Sequence, residues 1–340
     1  MSELLNFRTP ELLRRWGVLL FLFLFLQPFV SLAQQTFRMP PLLHPGDSVA
    51  IISPSGKATQ AMVDTGCIAL RKWGLVPVPM PNVLRSWHGF GGTPEERTAD
   101  VLKALRDPSI KAIIATRGGD GAPHVLARIP VDTFACYPKW IIGFSDVTAL
   151  LCAEARAGVM SVHASMCEAL GYEGAIDTVS RALHGVLMGP WPEYVVPRHP
   201  YNSLGTAQGT LVGGNMSVLC GLAGSPYDIL SMSDIILFIE DVGENMSHVD
   251  RMLHLLEVRG LLGKLKGLIV GKFTKYKKPE NGFEDMYHMI HTYMNRYPDV
   301  PVCYDFPTGH AHLNNFPMVV GSQALLEVGR DSTRLRFIPD

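Results

Sequence analysis

The residues most able to do chemistry begin with Ser145. An apolar run, Trp140-Ile141-Ile142, passes through Gly143 and Phe144 into Ser145 and Asp146, then into the helix formers Ala149, Leu150 and Leu151. That order reads as strand, sharp turn and helix. A serine on such a turn has its hydroxyl clear of the sheet, beside free N–H groups that can receive an oxyanion. Val147 stands where the G-x-S-x-G motif has its second glycine, so the pattern is elbow-like and not the full motif. Ser145 or Asp146 as a plain helix cap is the alternative.

Other candidate groups sit in comparable places. Arg117-Gly118-Gly119-Asp120-Gly121 follows the apolar run 110–116, and glycines just beyond a strand let backbone N–H groups turn toward a ligand. A tight turn and no more is the other reading. Glu240 ends the apolar run 235–239, where a carboxylate can orient a histidine, cap a helix or pair with Arg251. His310 lies in a glycine-flanked loop, Thr308-Gly309-His310-Ala311-His312. His310 and His312 share a face if extended, but no nearby carboxylate has ligand spacing, so neither a metal nor any other cofactor is expected.

The elements that must position these groups alternate strand and helix. Gly46-Asp47 leads into a buried strand near 49–52, and the loop Ser53-Pro54-Ser55-Gly56 follows. That loop lacks the lysine and spacing of a P-loop, so it reads as a connection. A helix over 61–73 ends at Gly74, and Val76-Pro77-Val78-Pro79 resumes as a strand. Thr93, Pro94 and Glu96 predict a capped helix start, with Asp107-Pro108 ending that helix. A further helix is expected over 122–129. The pattern predicts an α/β protein with a doubly wound parallel sheet, whose functional groups gather at the strands' C-terminal ends. Residues 37–188 would form this N-terminal domain. Residues 189–208, rich in proline and turn formers, read as a linker. Residues 209–340 read as a smaller C-terminal α/β domain on a smaller sheet.

Composition excludes some partners. Net charge is −1 with no basic run, which argues against nucleic acid and anionic membrane surfaces. Arg14-Arg15, the apolar segment 16–26 and Ser31-Leu32-Ala33 form a signal-peptide pattern over 1–33. Cleavage near Ala33 and export, to the periplasm, are expected, with an uncleaved anchor as the alternative, and no membrane span is expected in the mature chain. The six cysteines are scattered with no C-x-x-C, so no disulfide framework is implied.

Together these stretches resemble the serine L,D-carboxypeptidases, the muramoyltetrapeptide carboxypeptidase family that includes the microcin C self-immunity peptidases. The resemblance runs through Gly46-Asp47 with residues 53–56, Arg117-Gly118-Gly119, residues 143–148, Gly213-Gly214-Asn215, residues 240–244 with 250–253, and Gly309-His310. It implies a triad of Ser145, Glu240 and His310, with His310 as base and Glu240 as its orienter. It also implies an active site in the cleft between the two domains, an oxyanion hole from the Gly118-Gly119 turn and Asp146, and a murein peptide substrate; family members commonly form homodimers, which this sequence neither supports nor excludes. Arg117 is a candidate for the substrate's carboxylate or a structural partner of Asp146. Two departures bear on specificity: Asp120 replaces the family's usual tyrosine, and His163-Ala164-Ser165-Met166 replaces His-Gly-Pro-Met. Export also departs from the cytosolic location of familiar members that recycle murein fragments.

Overall fold

In the computed structural model, a parallel sheet forms whose inner strands, filled with Ile, Val and Ala, are buried on both faces, while the edge strand Val76–Pro79 is not. Its members are β1 (Ser48–Ile52), β2 (Val76–Pro79), β3 (Ile110–Ala115), β4 (Trp140–Gly143) and β5 (Ser161–His163). Helices Gln60–Lys72, Pro94–Arg106 and Thr148–Arg156 make the crossovers. This covering explains why β1, β3 and β4 read as continuous apolar runs and not as alternating ones. The structure describes residues 36–170, 175–277, 282–311 and 315–338, so the expected signal segment lies outside the described residues.

The spatial order 2-1-3-4-5 is that of a doubly wound sheet. The expected elements recur closely in this half. Thr93 and Glu96 form a reciprocal capping box at the start of Pro94–Arg106, and Asp107 ends that helix. The helix expected over 122–129 is shorter, Ala122–Leu126, and a second short helix, Asp132–Cys136, follows before β4.

The second sheet is mixed. It contains β6 (Glu193–Pro197), β7 (Gly205–Asn215), β8 (Ile235–Val242), β9 (Gly267–Thr274), β10 (Val302–Cys303), β12 (Gln323–Val328) and β13 (Ser332–Ile338). Strands β7 to β10 run parallel in the order 10-9-8-7, and β12, β13 and β6 continue antiparallel from β7. This sheet has seven strands against six in the first, so the smaller sheet expected from the sequence is not observed. The residues 189–208 read as a linker contain β6, which pairs with β13.

The two halves are also stitched together. The sixth strand of the first sheet is β11 (Met318–Val320), which pairs antiparallel with β5 although it comes from the C-terminal half. Gly321 then turns with φ 90 and its N–H donates to Leu211 O at 2.8 Å, handing the chain directly to β12. Residues from Phe37 onward accordingly form one compact unit. Among the described residues no helix is long and apolar enough to cross a membrane.

Candidate active site

Ser145 sits two residues beyond β4, at the first position of a single 3-10 turn, Ser145–Val147, that leads into helix Thr148–Arg156. Its φ is 62, a conformation that a residue with a β-carbon rarely adopts and that costs on the order of 1 kcal/mol or more. The tight turn is enforced by packing: a β-carbon on Gly143 would come within 2.6 Å of Val147 Cγ1. The turn therefore has the strand-to-helix form expected of an elbow.

Three loops at the C-terminal ends of β1, β3 and β4 meet around this serine. A β-carbon on Gly118 would lie 2.8 Å from both Ser145 Cβ and Oγ, so the Gly118 backbone rests directly on the serine side chain. Neither the Gly118 nor the Gly119 N–H donates a hydrogen bond among the described residues. Gly56 N–H donates to Gly118 O at 3.1 Å, tying the loop after β1 to the glycine loop. Asp146 accepts from Ala122 N–H at 2.7 Å, which ties the glycine loop to the elbow. Burial pushes the Asp146 carboxyl above its ordinary range. Arg117 donates from Nε to Gly118 O at 3.3 Å and makes no ion pair with Asp146 among the described residues.

The second sheet presents the other groups. The pairing of β8 with β9 shifts register between Ile239 and Asp241, and a bulge of this kind re-aims the side chain it contains. Glu240 lies there, fully buried. Its Oε2 is 2.6 Å from His310 Nδ1 and also accepts the His310 backbone N–H at 3.2 Å. A carboxylate offers no proton, so Nδ1 carries the hydrogen and Nε2 is left as acceptor, the tautomer a general base requires. The alternative pairing of Glu240 with Arg251 is not formed among the described residues.

Glycine makes that contact possible. Gly309 has φ 101, and a β-carbon there would lie 2.6 Å from Glu240 Cβ and Oε2. The His310 ring packs on Phe144, with centroids 4.9 Å apart. Phe144 thus brings the residue before Ser145 against the His310 ring, while Ser145 Oγ forms no hydrogen bond, to His310 or to any other group, among the described residues. A cavity of about 360 Å³ opens beside His310, lined by Phe144, Ser165, Glu168, Lys275 and Asn315 among others. Burial raises the Glu168 carboxyl above its ordinary value, against the pull of Arg117 and His310. His312 lies outside the described residues; among those described, no group of three His, Cys, Asp or Glu could hold a metal ion.

Comparison with known proteins gives the family. The LD-carboxypeptidase N-terminal domain model matches residues 49–164, and the LD-carboxypeptidase C-terminal domain model matches residues 208–326. A protein of Synechocystis sp. is 31% identical over 316 residues, covering 91% of this chain and 100% of that protein. The chain belongs to the LD-carboxypeptidase family. The crystal structure of muramoyltetrapeptide carboxypeptidase from Oxalobacter formigenes superposes with a TM-score of 0.78 at 27% identity, covering 86% of this chain and 99% of that one. A microcin self-immunity protein of Escherichia coli is 25% identical over 300 residues, covering 78% of this chain and 87% of that protein.

Within this family frame, two positioning groups escape a reading of the sequence. Arg97 reads as an ordinary charge in the first turns of a helix, yet it is 1% exposed. Its Nη1 donates to Pro54 O and Gly121 O, both at 2.6 Å, and its Nε to Gly92 O at 3.2 Å. It therefore clamps the loops after β1 and β3 to each other. Asn215 caps helix Met216–Gly221 and donates to Asp241 Oδ1 at 2.9 Å, while its own N–H reaches Thr148 Oγ1 at 3.1 Å. Thr148 opens the elbow helix, so this bond joins the elbow to the second sheet. The Gly213-Gly214-Asn215 motif marks the place but not the partners.

Proposed function

We propose that this protein is a serine carboxypeptidase that cleaves the L,D-peptide bond to the terminal D-alanine of murein tetrapeptides. The observation that carries the reading is the 2.6 Å bond from His310 Nδ1 to Glu240, on an imidazole whose ring rests against Phe144, the residue before Ser145. In this reading Ser145 Oγ attacks the scissile carbonyl while its proton passes to His310 Nε2. Glu240 fixes the tautomer and stabilises the imidazolium. N–H groups of Gly118, Gly119 and Asp146 receive the oxyanion, each worth roughly 3 kcal/mol in comparable hydrolases. The imidazolium then protonates the departing D-alanine amine, and water releases the acyl group by the same steps in reverse.

Arg117, at the glycine loop, and Lys275, on the cavity wall, are the cations suited to the substrate's free carboxylate. The mature chain acts in the periplasm after loss of residues 1–33, beside the wall polymer. The name of the Oxalobacter relative supports the murein substrate. Similarity to the microcin self-immunity protein supports a second reading, a peptidase acting on a peptidyl nucleotide.

Replacing Ser145 by alanine tests the reading. The variant should keep its fold, with stability changed by less than about 1 kcal/mol, and lose release of D-alanine from a murein tetrapeptide. Wild-type turnover by the variant would remove Ser145 from the mechanism. A wild-type protein left unlabelled by a serine-reactive fluorophosphonate would instead be a binder of wall peptides.

A further inference from the structure

The cavity beside His310 holds one carboxylate and one ammonium that do not pair with each other. Glu168 and Lys275 both line it, both are exposed, and neither side chain makes an ion pair or hydrogen bond among the described residues. Glu168 stands in helix Cys167–Leu170, and its backbone N–H donates at 3.0 Å to the carbonyl of Thr116, the residue before Arg117. Met166, two residues earlier, borders the same glycine as the serine: a β-carbon on Gly118 would lie 3.7 Å from Met166 Cε and 2.8 Å from Ser145 Oγ. The acid is therefore fastened to the loops around Ser145.

The ammonium comes from the other sheet. Thr274 Oγ1 donates to His310 O at 3.0 Å, and Lys275 follows with φ 57, a conformation that few residues with a β-carbon adopt. Burial already raises the Glu168 carboxyl above its ordinary value, against the pull of Arg117 and His310. A partly desolvated carboxylate with no partner is best met by a cation that the ligand brings. Lys275 repels such a cation and favours an anion, so the cavity sorts charges by position.

A murein tetrapeptide offers few cations near its scissile bond. The terminal D-alanine supplies a carboxylate, and its nitrogen is an uncharged amide until the bond breaks. The peptide's N-terminus lies three residues before that amide, roughly 10 Å away when extended. The side chain of the third residue starts beside the carbonyl that Ser145 attacks. We propose that Glu168 determines specificity at this third residue: its carboxylate receives the side-chain ammonium of a diamino acid, so the site selects peptides that carry one there. The assignment rests on the reading of the protein as a murein-peptide carboxypeptidase, but binding tests it without turnover.

Calorimetry on the full chain carrying Ser145→Ala would compare murein tetrapeptides with lysine, Nε-acetyl-lysine or norleucine as third residue. The lysine peptide should bind about tenfold tighter than the other two, and adding Glu168→Gln should bring all three within about twofold of one another. Adding Glu168→Lys instead should make a glutamate third residue preferred over lysine. Binding indifferent to the third residue's charge in Ser145→Ala would overturn the proposal, as would a lysine preference that survives Glu168→Gln, or no binding of any of the peptides. Release of D-alanine by the wild type is measured separately. Peptides that bind with the lysine preference but are not cleaved would refute the hydrolase reading and leave the role of Glu168 standing.

Discussion

The Phe144 ring lies 4.9 Å from the His310 ring, tilted by 55°, so the residue before Ser145 is seated on an imidazole carried by the other half of the chain. Through this contact the position of the elbow and the position of the imidazole are one variable. Phe144→Ala should lower kcat by about tenfold or more, because the His310 ring loses the surface it rests on. The fold should persist at a cost of about 1–3 kcal/mol, since Phe144 is only partly buried. Steady-state kinetics with thermal melts would check both, and an unchanged kcat would show that the contact does not position the base.

Gly118 offers a narrower test. A β-carbon there would come within 2.8 Å of Ser145 Cβ and Oγ, and its φ is not among the positive values, so only the clash is at stake. Gly118→Ala should cost on the order of 10²-fold in kcat/KM, from a displaced serine and a displaced N–H donor together. Turnover at the wild-type level would mean that the loop does not serve the oxyanion.

Glu240→Gln keeps the size of the side chain and changes its chemistry. An amide can donate as well as accept, so His310 is free to adopt the tautomer with its hydrogen on Nε2, which cannot take the serine proton. The expected loss is about 10⁴-fold in kcat, with little change in KM. A loss confined to KM would place Glu240 in binding instead.

A pH effect on stability is expected from Glu154 in helix Thr148–Arg156. Its carboxyl is fully buried and neither oxygen has a hydrogen-bond partner among the described residues. Burial raises it well above the ordinary 4.5, so the folded state prefers the neutral acid. A raised folded value means that its contribution is fully present below the unfolded value and is lost as pH rises through the folded one. Glu154→Gln should therefore match the wild type near pH 4 and become progressively more stable than it toward alkaline pH. Parallel melting curves across that range would contradict this.

Much of the site is legible in the order of residues alone. The strand, turn and helix around Ser145, the capped start of Pro94–Arg106 and the placement of candidate loops beyond β3, β4 and β8 all follow from local patterns. Such patterns are set by propensity and period, which act over a few residues. Resemblance to the family then singles out Ser145, Glu240 and His310, and the structure joins the last two directly.

What the local pattern could not decide was set by contacts between distant segments. Glu193–Pro197 alternates buried and exposed residues as an ordinary strand does, but its flanking prolines read as a linker until β13 pairs with it. Strand β11 joins the first sheet only because the chain returns to β5. Arg97 bears no local mark of its role, because a buried arginine is recognised by what surrounds it. Sequence by itself determined which residues could react and the elements that carry them. Only the tertiary structure decided which carboxylate oxygen meets which imidazole nitrogen, because that depends on a bulge at Glu240, the close approach of Gly309 and the packing of two sheets in one unit.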